Sequence, residues 1–162
     1  MKRVLGVLGV VGVLGGGGAL ASCQRQPEYS GLGPYMLGET TLAYGRQHAR
    51  CQEDGAITWC FGAPPIRLGQ QPAMVDLYFV GHDDSALLVE IALRVRGCKD
   101  KEAEAALVGA LGPPTESRNK LRFWKSRASF VAAKLRVSGV ACEVSFVDPN
   151  DKARIERLER GE

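Results

Sequence analysis

Histidine is close to absent from this chain: His48 and His82 are the only two in 162 residues. No His-Glu-x-x-His zinc helix exists, and neither does a Gly-x-Ser-x-Gly elbow that would seat a nucleophilic serine. A phosphate-cradling loop is missing as well, since the one dense glycine cluster, Gly15 to Gly18, belongs to the apolar N-terminal stretch. No two cysteines stand in Cys-x-x-Cys spacing, which argues against zinc. These absences exclude the best-marked catalytic and metal-binding classes. The reading that remains is a non-catalytic protein without metal or cofactor.

Charge is also absent from Val4 to Ala21, directly behind the positive start Met1-Lys2-Arg3. A charged n-region followed by an apolar stretch is signal-peptide anatomy. Seven of those eighteen residues are glycine, which weakens both helix and hydrophobicity and makes a permanent membrane span the poorer reading. The stretch ends in Leu20-Ala21-Ser22-Cys23, which resembles the lipobox of bacterial lipoproteins at every position. The resemblance implies cleavage before Cys23, a diacylglycerol thioether on its sulfur, and acylation of the freed amine by a fatty acid such as palmitate. Two or three chains make such an anchor stable where a single one is marginal. Gln24 stands where the inner-membrane retention signal of that family has aspartate, so the expected address is the outer membrane, facing the periplasm. Residues 23–33 are polar and rich in turn formers, the composition of a tether, and one domain is expected over residues 34–148 with a charged tail over 149–162.

Loss of residues 1–22 takes Lys2 and Arg3 with it, so the formal charge of +3 falls by two units. Near-neutral charge in an exported domain gives no reason to expect nucleic acid as partner. Cys51, Cys60, Cys98 and Cys142 remain, and an even number in an oxidising compartment reads as disulfides. Three pairings are possible. The favoured one joins Cys51 to Cys60, from a helix end to the next strand, and Cys98 to Cys142, from the second helix to the last core strand.

Leu42 to Arg50 has helix formers behind the capping candidates Thr40 and Thr41. Glu53-Asp54-Gly55 marks a turn, Ala56 to Phe61 alternates as a short strand, and Gly62-Ala63-Pro64-Pro65 is expected to stop it. Met74 to Val80 and Leu87 to Val95 alternate around Gly81-His82-Asp83-Asp84-Ser85 as a hairpin. Leu87, Val89, Ile91, Leu93 and Val95 are expected inward, while Asp76, Glu90, Arg94 and Arg96 face water. Lys99 to Leu111 is a second helix, with Ala103, Leu107 and Leu111 on one face and Gly112-Pro113-Pro114 as its stop. Three further strands are expected over Leu121 to Lys125, Ser129 to Val137 and Val140 to Val147, then a helix from Lys152 to Arg160 stapled by Ile155 and Leu158. The fold class is α+β: an antiparallel sheet with two helices on one face, two α-β-β-β halves, and a C-terminal helix. Gly112-Pro113-Pro114, Trp124 and the paired strands after them resemble the small α+β lipoproteins of the outer-membrane assembly machinery and the β-lactamase-inhibitor-like repeats. That resemblance covers Lys99 to Asp148. The first half departs from it, having no glycine-proline stop directly after its helix.

Few residues suggest chemistry. His82 with Asp83 and Asp84 has metal-ligand types, but a tight turn needs such residues anyway. His48 suits a helix C-terminus. Glu102 and Glu104 are two apart on a helix and point to different faces. Acidic residues are missing from Arg118 to Arg136, where seven basic ones stand. Arg122, Trp124, Lys134 and Arg136 are the candidate binding face, for anionic head groups or an acidic partner, set against a plain solvated sheet face. The functional expectation is partner binding or structural support in the cell envelope. The alternatives are an inhibitor or sequestering protein for an envelope hydrolase, using a loop such as the His82 turn, and an enzyme whose site carries no recognised motif.

Overall fold

A computed structural model describes residues 30–137 and 141–162, with the side chains of 136 and 137 outside that description. The stretch read as a signal peptide, Cys23 and most of the stretch read as a tether therefore lie outside the described residues, as do Val140 and the inward position expected for Val137. The last residues of the segment read as tether belong to the folded domain: Gly31–Leu32 (β1) pairs antiparallel with Tyr35–Met36 (β2), and the buried Tyr35 donates its hydroxyl to the Pro64 carbonyl at 2.9 Å.

Thr41 opens α1 (Leu42–His48), its hydroxyl accepting from the Tyr44 amide. Gly45 lets this helix approach the sheet closely. A Cβ there would come within 3.0 Å of the Phe79 ring and 3.3 Å of the Cys60 sulfur. The helix stops before Arg50, which starts β3 (Arg50–Asp54), a strand that has few apolar residues and no alternation to mark it. It pairs with β4 (Ile57–Leu68), followed in meander by β5 (Gln71–Val80) and β6 (Leu88–Arg96). The expected stop at Gly62-Ala63-Pro64-Pro65 is not one. β4 runs through it, with register breaks between Phe61 and Ala63 and between Ala63 and Ile66. Gly62 takes φ +72° there, and an irregular stretch removes the need for the amides that prolines lack.

The α2 helix (Asp100–Leu111) follows, capped at Gly112, and buries Ala103, Leu107 and Leu111 as its spacing requires. A second meander comes after it: β7 (Glu116–Arg118), β8 (Leu121–Lys125), β9 (Phe130–Val137) and β10 (Ala141–Val147). β10 pairs with β6, giving one eight-stranded antiparallel sheet in the order β3-β4-β5-β6-β10-β9-β8-β7. The two halves are thus each one helix and four strands, not three. The unexpected strands, β3 and β7, occupy equivalent outer edges. Disulfides join Cys51 to Cys60 and Cys98 to Cys142. The first is a cross-strand link between β3 and β4, where Cys51 faces Cys60 in register, rather than a link from a helix end. The second holds the chain entering α2 against β10.

The main core lies between the sheet and the face that carries α1 and α2. Leu42, Leu77, Phe79, Ile91, Leu107, Val131 and Phe146 are all buried in it. Trp124 joins that core and donates its indole N–H to the Gly112 carbonyl at 2.8 Å, which ties β8 to the end of α2. The α3 helix (Lys152–Arg160) lies on the opposite face. Asp151 caps it, and Ile155 and Leu158 rest on a second cluster of Phe123, Phe130, Ala132 and Val147.

Candidate functional site

The face opposite α1 and α2 is where the charges of the hairpin were expected to meet water. Arg94 and Arg96 do, Asp76 does in part and Glu90 does not, and a register shift between Tyr78 and Phe79 inserts an extra residue in β6. Leu88, and not Leu87 or Val89, points into the main core, with Leu87 45 % exposed and Leu88 fully buried. From Ile91 the expected phase returns. Glu90 keeps the phase expected for it, but α3 lies over that side: it is 4 % exposed, and Arg154 closes on it with two bonds, Nε to Oε2 at 2.7 Å and a terminal nitrogen to Oε1 at 2.9 Å. This bond to Glu90 raises the Arg154 pKa. A bidentate pair of this kind satisfies both carboxylate oxygens in a place where either ion alone would be costly.

Beside this pair, on the first half of the sheet, lies an aromatic group that joins neither core. Trp59 on β4 stands directly opposite Tyr78 on β5, their rings 6.3 Å apart and within 8° of parallel, and Phe61 leans on Trp59 at 5.1 Å. All three are half-buried. Ile57, Met74, Val80 and Val89 surround them, with Met74 40 % and Val80 54 % exposed. Alternation along an antiparallel strand puts such residues on a wet face only rarely, because that face gains nothing from apolar side chains. One cavity of about 330 Å³ lies between Trp59, Tyr78 and the α3 flank at Arg154 and Arg157. A second, of about 430 Å³, opens where the β4 bulge leaves Phe61 and Met74 beside Asp76, Arg94 and Arg96.

Asp76 is the one acid at the centre of this surface. Desolvation raises its pKa, against the opposing pull of the Gly62 backbone N–H, Arg94 and the Trp59 indole. The indole N–H acts on this carboxylate but makes no hydrogen bond of normal geometry and is buried. Tyr78 is likewise raised, first by desolvation and then by Glu90 and Asp76.

The basic candidates do not form one face. Arg122 lies on the α2 side, where its Nε meets Glu104 at 2.6 Å, and Trp124 is buried beneath the same helix. Lys134 is on the other side and donates to the Gly161 carbonyl at 2.7 Å. The side chain of Arg136 is outside the described residues. The expected outward phase fails for Arg122 because it pairs with Ala133, an inward residue. Other cations of the run are matched by acids outside it: Arg118 by Glu116, and Lys125 by Glu116 and Glu159.

His82 serves its turn. One ring nitrogen meets Thr58 and the other the Gly55 carbonyl, each at 2.9 Å, so both potential ligand atoms are engaged. Asp83 bonds Ser85, and Asp84 pairs with Arg46 at 2.5 Å. His48 stacks on Tyr44 in the last turn of α1, and Glu102 and Glu104 go separately to Lys99 and Arg122. Cys98, Asp100 and Cys142 lie close together, but both sulfurs belong to the disulfide. Among the described residues, no helix is long and apolar enough to cross a membrane.

Sequence reasoning missed the aromatic face, although its signal was present. Trp59, Phe61 and Tyr78 occupy the positions between the inward residues Cys60, Leu77 and Phe79, so both faces of β4 and β5 are apolar. No family model, no curated protein and no solved structure matches this chain.

Proposed function

We propose that this chain is a non-catalytic binding protein of the bacterial envelope, held by lipid on Cys23 at the outer membrane and facing the periplasm. The observation that carries the binding role is the aromatic face of the first half. A contiguous apolar surface rimmed by charge is what a protein keeps for a partner rather than for water. The lipobox and the charge-free stretch before it support the anchor, and the two disulfides suit an oxidising compartment.

Intact mass of the protein extracted from membranes tests the anchor. The expected mass is that of a chain lacking residues 1–22 with diacylglycerol and acyl additions on Cys23, and an unlipidated full-length mass would reject it. For the binding role, Trp59→Ala with Tyr78→Ala should abolish co-purification of a partner while leaving the circular dichroism unchanged. Undiminished co-purification would remove the face from consideration.

The alternative role, an inhibitor of an envelope hydrolase, is favoured by one feature. The His82 turn is pre-ordered by Arg46, Thr58 and Ser85, and a loop already fixed in its bound shape loses little entropy on docking. A tight complex with a periplasmic hydrolase, broken by Asp83→Arg, would establish it.

A further inference from the structure

Connections in an antiparallel sheet alternate between its two ends, and here the charges are sorted with them. At one end lie the β4–β5 turn, the link from β6 to α2, the β7–β8 turn, the end of β9 and the start of β10. These are neighbours: Arg96 faces Ala141 across the seam, and the Lys120 carbonyl accepts from the Leu135 amide at 2.9 Å. They carry Arg67, Arg96, Lys99, Lys101, Arg118 and Lys120, all exposed. The acids nearby are Asp100, Glu102 and Glu162, of which Glu102 pairs with Lys99 and Glu162 with Arg160. Among the described residues, no acid forms an ion pair with Arg67, Arg96, Lys101 or Lys120. The opposite end holds the β3–β4, β5–β6 and β8–β9 turns and the link to α3, with Glu53, Asp54, Asp83, Asp84, Asp148 and Asp151. Arg46 answers Glu53 and Asp84 there, and Lys125, Arg127 and Lys152 are the other cations.

We propose that the basic end is the membrane-facing end of the domain and lies against anionic phospholipid head groups. The proposal rests on the reading of Cys23 as a lipid anchor and names the surface that the anchored domain turns to the bilayer.

Reach selects the bilayer. The seven steps of chain from Cys23 to Ser30 span at most about 25 Å when fully extended. An anchored domain is thereby kept at a high effective concentration beside head groups. A strand of ten residues such as β5 is about 33 Å long. The field of an anionic surface decays over about 8 Å at physiological salt. With the basic end down, the cations lie inside that field and the acids lie beyond it. The inverted pose puts the acids in the field, which repels them. Sorting of charge along the strands therefore orients the domain, although its net charge is small.

Composition selects lipid over protein. The residues between these cations include Gly69, Gln70, Gly97 and Asn119, and no large apolar side chain among the described residues is exposed in these connections. A protein interface has a packed apolar centre, whereas head groups are met by long basic side chains on a polar surface.

The test uses the full-length lipidated protein in vesicles of phosphatidylcholine, with and without phosphatidylglycerol, that contain a trace of lipid with a fluorescent acceptor on its head group. The donor is attached at Gln70→Cys, on the basic end, or at Leu87→Cys, on the acidic end. With phosphatidylglycerol present, energy transfer from position 70 should exceed that from position 87 at least about twofold. The excess should vanish in phosphatidylcholine alone and in about 1 M salt, where the field decays over about 3 Å. Arg96→Glu with Lys120→Glu should remove it as well, while the protein stays on the vesicles through its anchor. Equal transfer from the two positions, or an excess that survives salt and charge reversal, overturns the proposal and leaves the cations to an acidic protein or to water. A protein isolated without lipid overturns the anchor instead. Its flotation with phosphatidylglycerol vesicles, lost on charge reversal, would still uphold the basic end, and failure to float would overturn both.

Discussion

At the residue scale, the decisive groups are carboxylates placed where water is scarce. Glu90 is buried and fully matched by Arg154. Arg154→Ala leaves that charge alone in the interior and should cost about 3–5 kcal/mol in urea unfolding, whereas Glu90→Leu combined with Arg154→Leu should cost much less. Similar losses from the single and double changes would show that the pair contributes packing rather than charge. Asp76 is only partly covered, and desolvation raises its pKa above the unfolded value. The folded state therefore holds the proton more tightly, and stability is gained as pH falls through the folded pKa towards the unfolded one. Asp76→Asn should accordingly stabilise at neutral pH by about a few tenths of a kcal/mol, given solvent screening. The advantage should vanish below the ordinary carboxylate range. An advantage that persists in acid would assign the effect to something other than charge.

At the element scale, what was legible followed from periodicity and capping. β8 and α3 have the limits that their patterns give, and α2 begins one residue later because Lys99 is its cap. The three short strands β1, β2 and β7 and the edge strand β3 were not legible. Each depends on a partner strand for its hydrogen bonds, and none is long or alternating enough to mark itself. The β4 bulge was missed for a related reason. Gly and Pro usually end a strand, and only the positions of neighbouring strands show that the sheet continues past an irregularity. The extra residue in β6 is the most consequential case. It is a matter of register against β5, yet it decides that Leu88, and not Leu87 or Val89, enters the main core.

At the scale of the whole molecule, two helix-and-meander halves share one sheet through the β6–β10 seam, and Cys98–Cys142 reinforces it from the α2 side. That disulfide closes a loop across 44 positions, whereas Cys51–Cys60 spans 9 within one hairpin. In the chain-entropy model, replacing the first pair by serine should cost about 4 kcal/mol and the second about 2.7 kcal/mol. Equal losses in guanidinium unfolding would mean that the halves are held by the sheet alone.

The sequence by itself determined the α+β class, the inward rows of β5, β9 and β10, and the disulfide pairing favoured among three. These follow from local composition and spacing, which neighbours in the chain already express. Only the tertiary structure decided which charges are covered, why Arg122 and Lys134 are parted, and which apolar surface is left open. Those outcomes depend on register between distant strands and on where α3 comes to rest. A shift of one residue, invisible to periodicity, exchanges the two faces of a sheet.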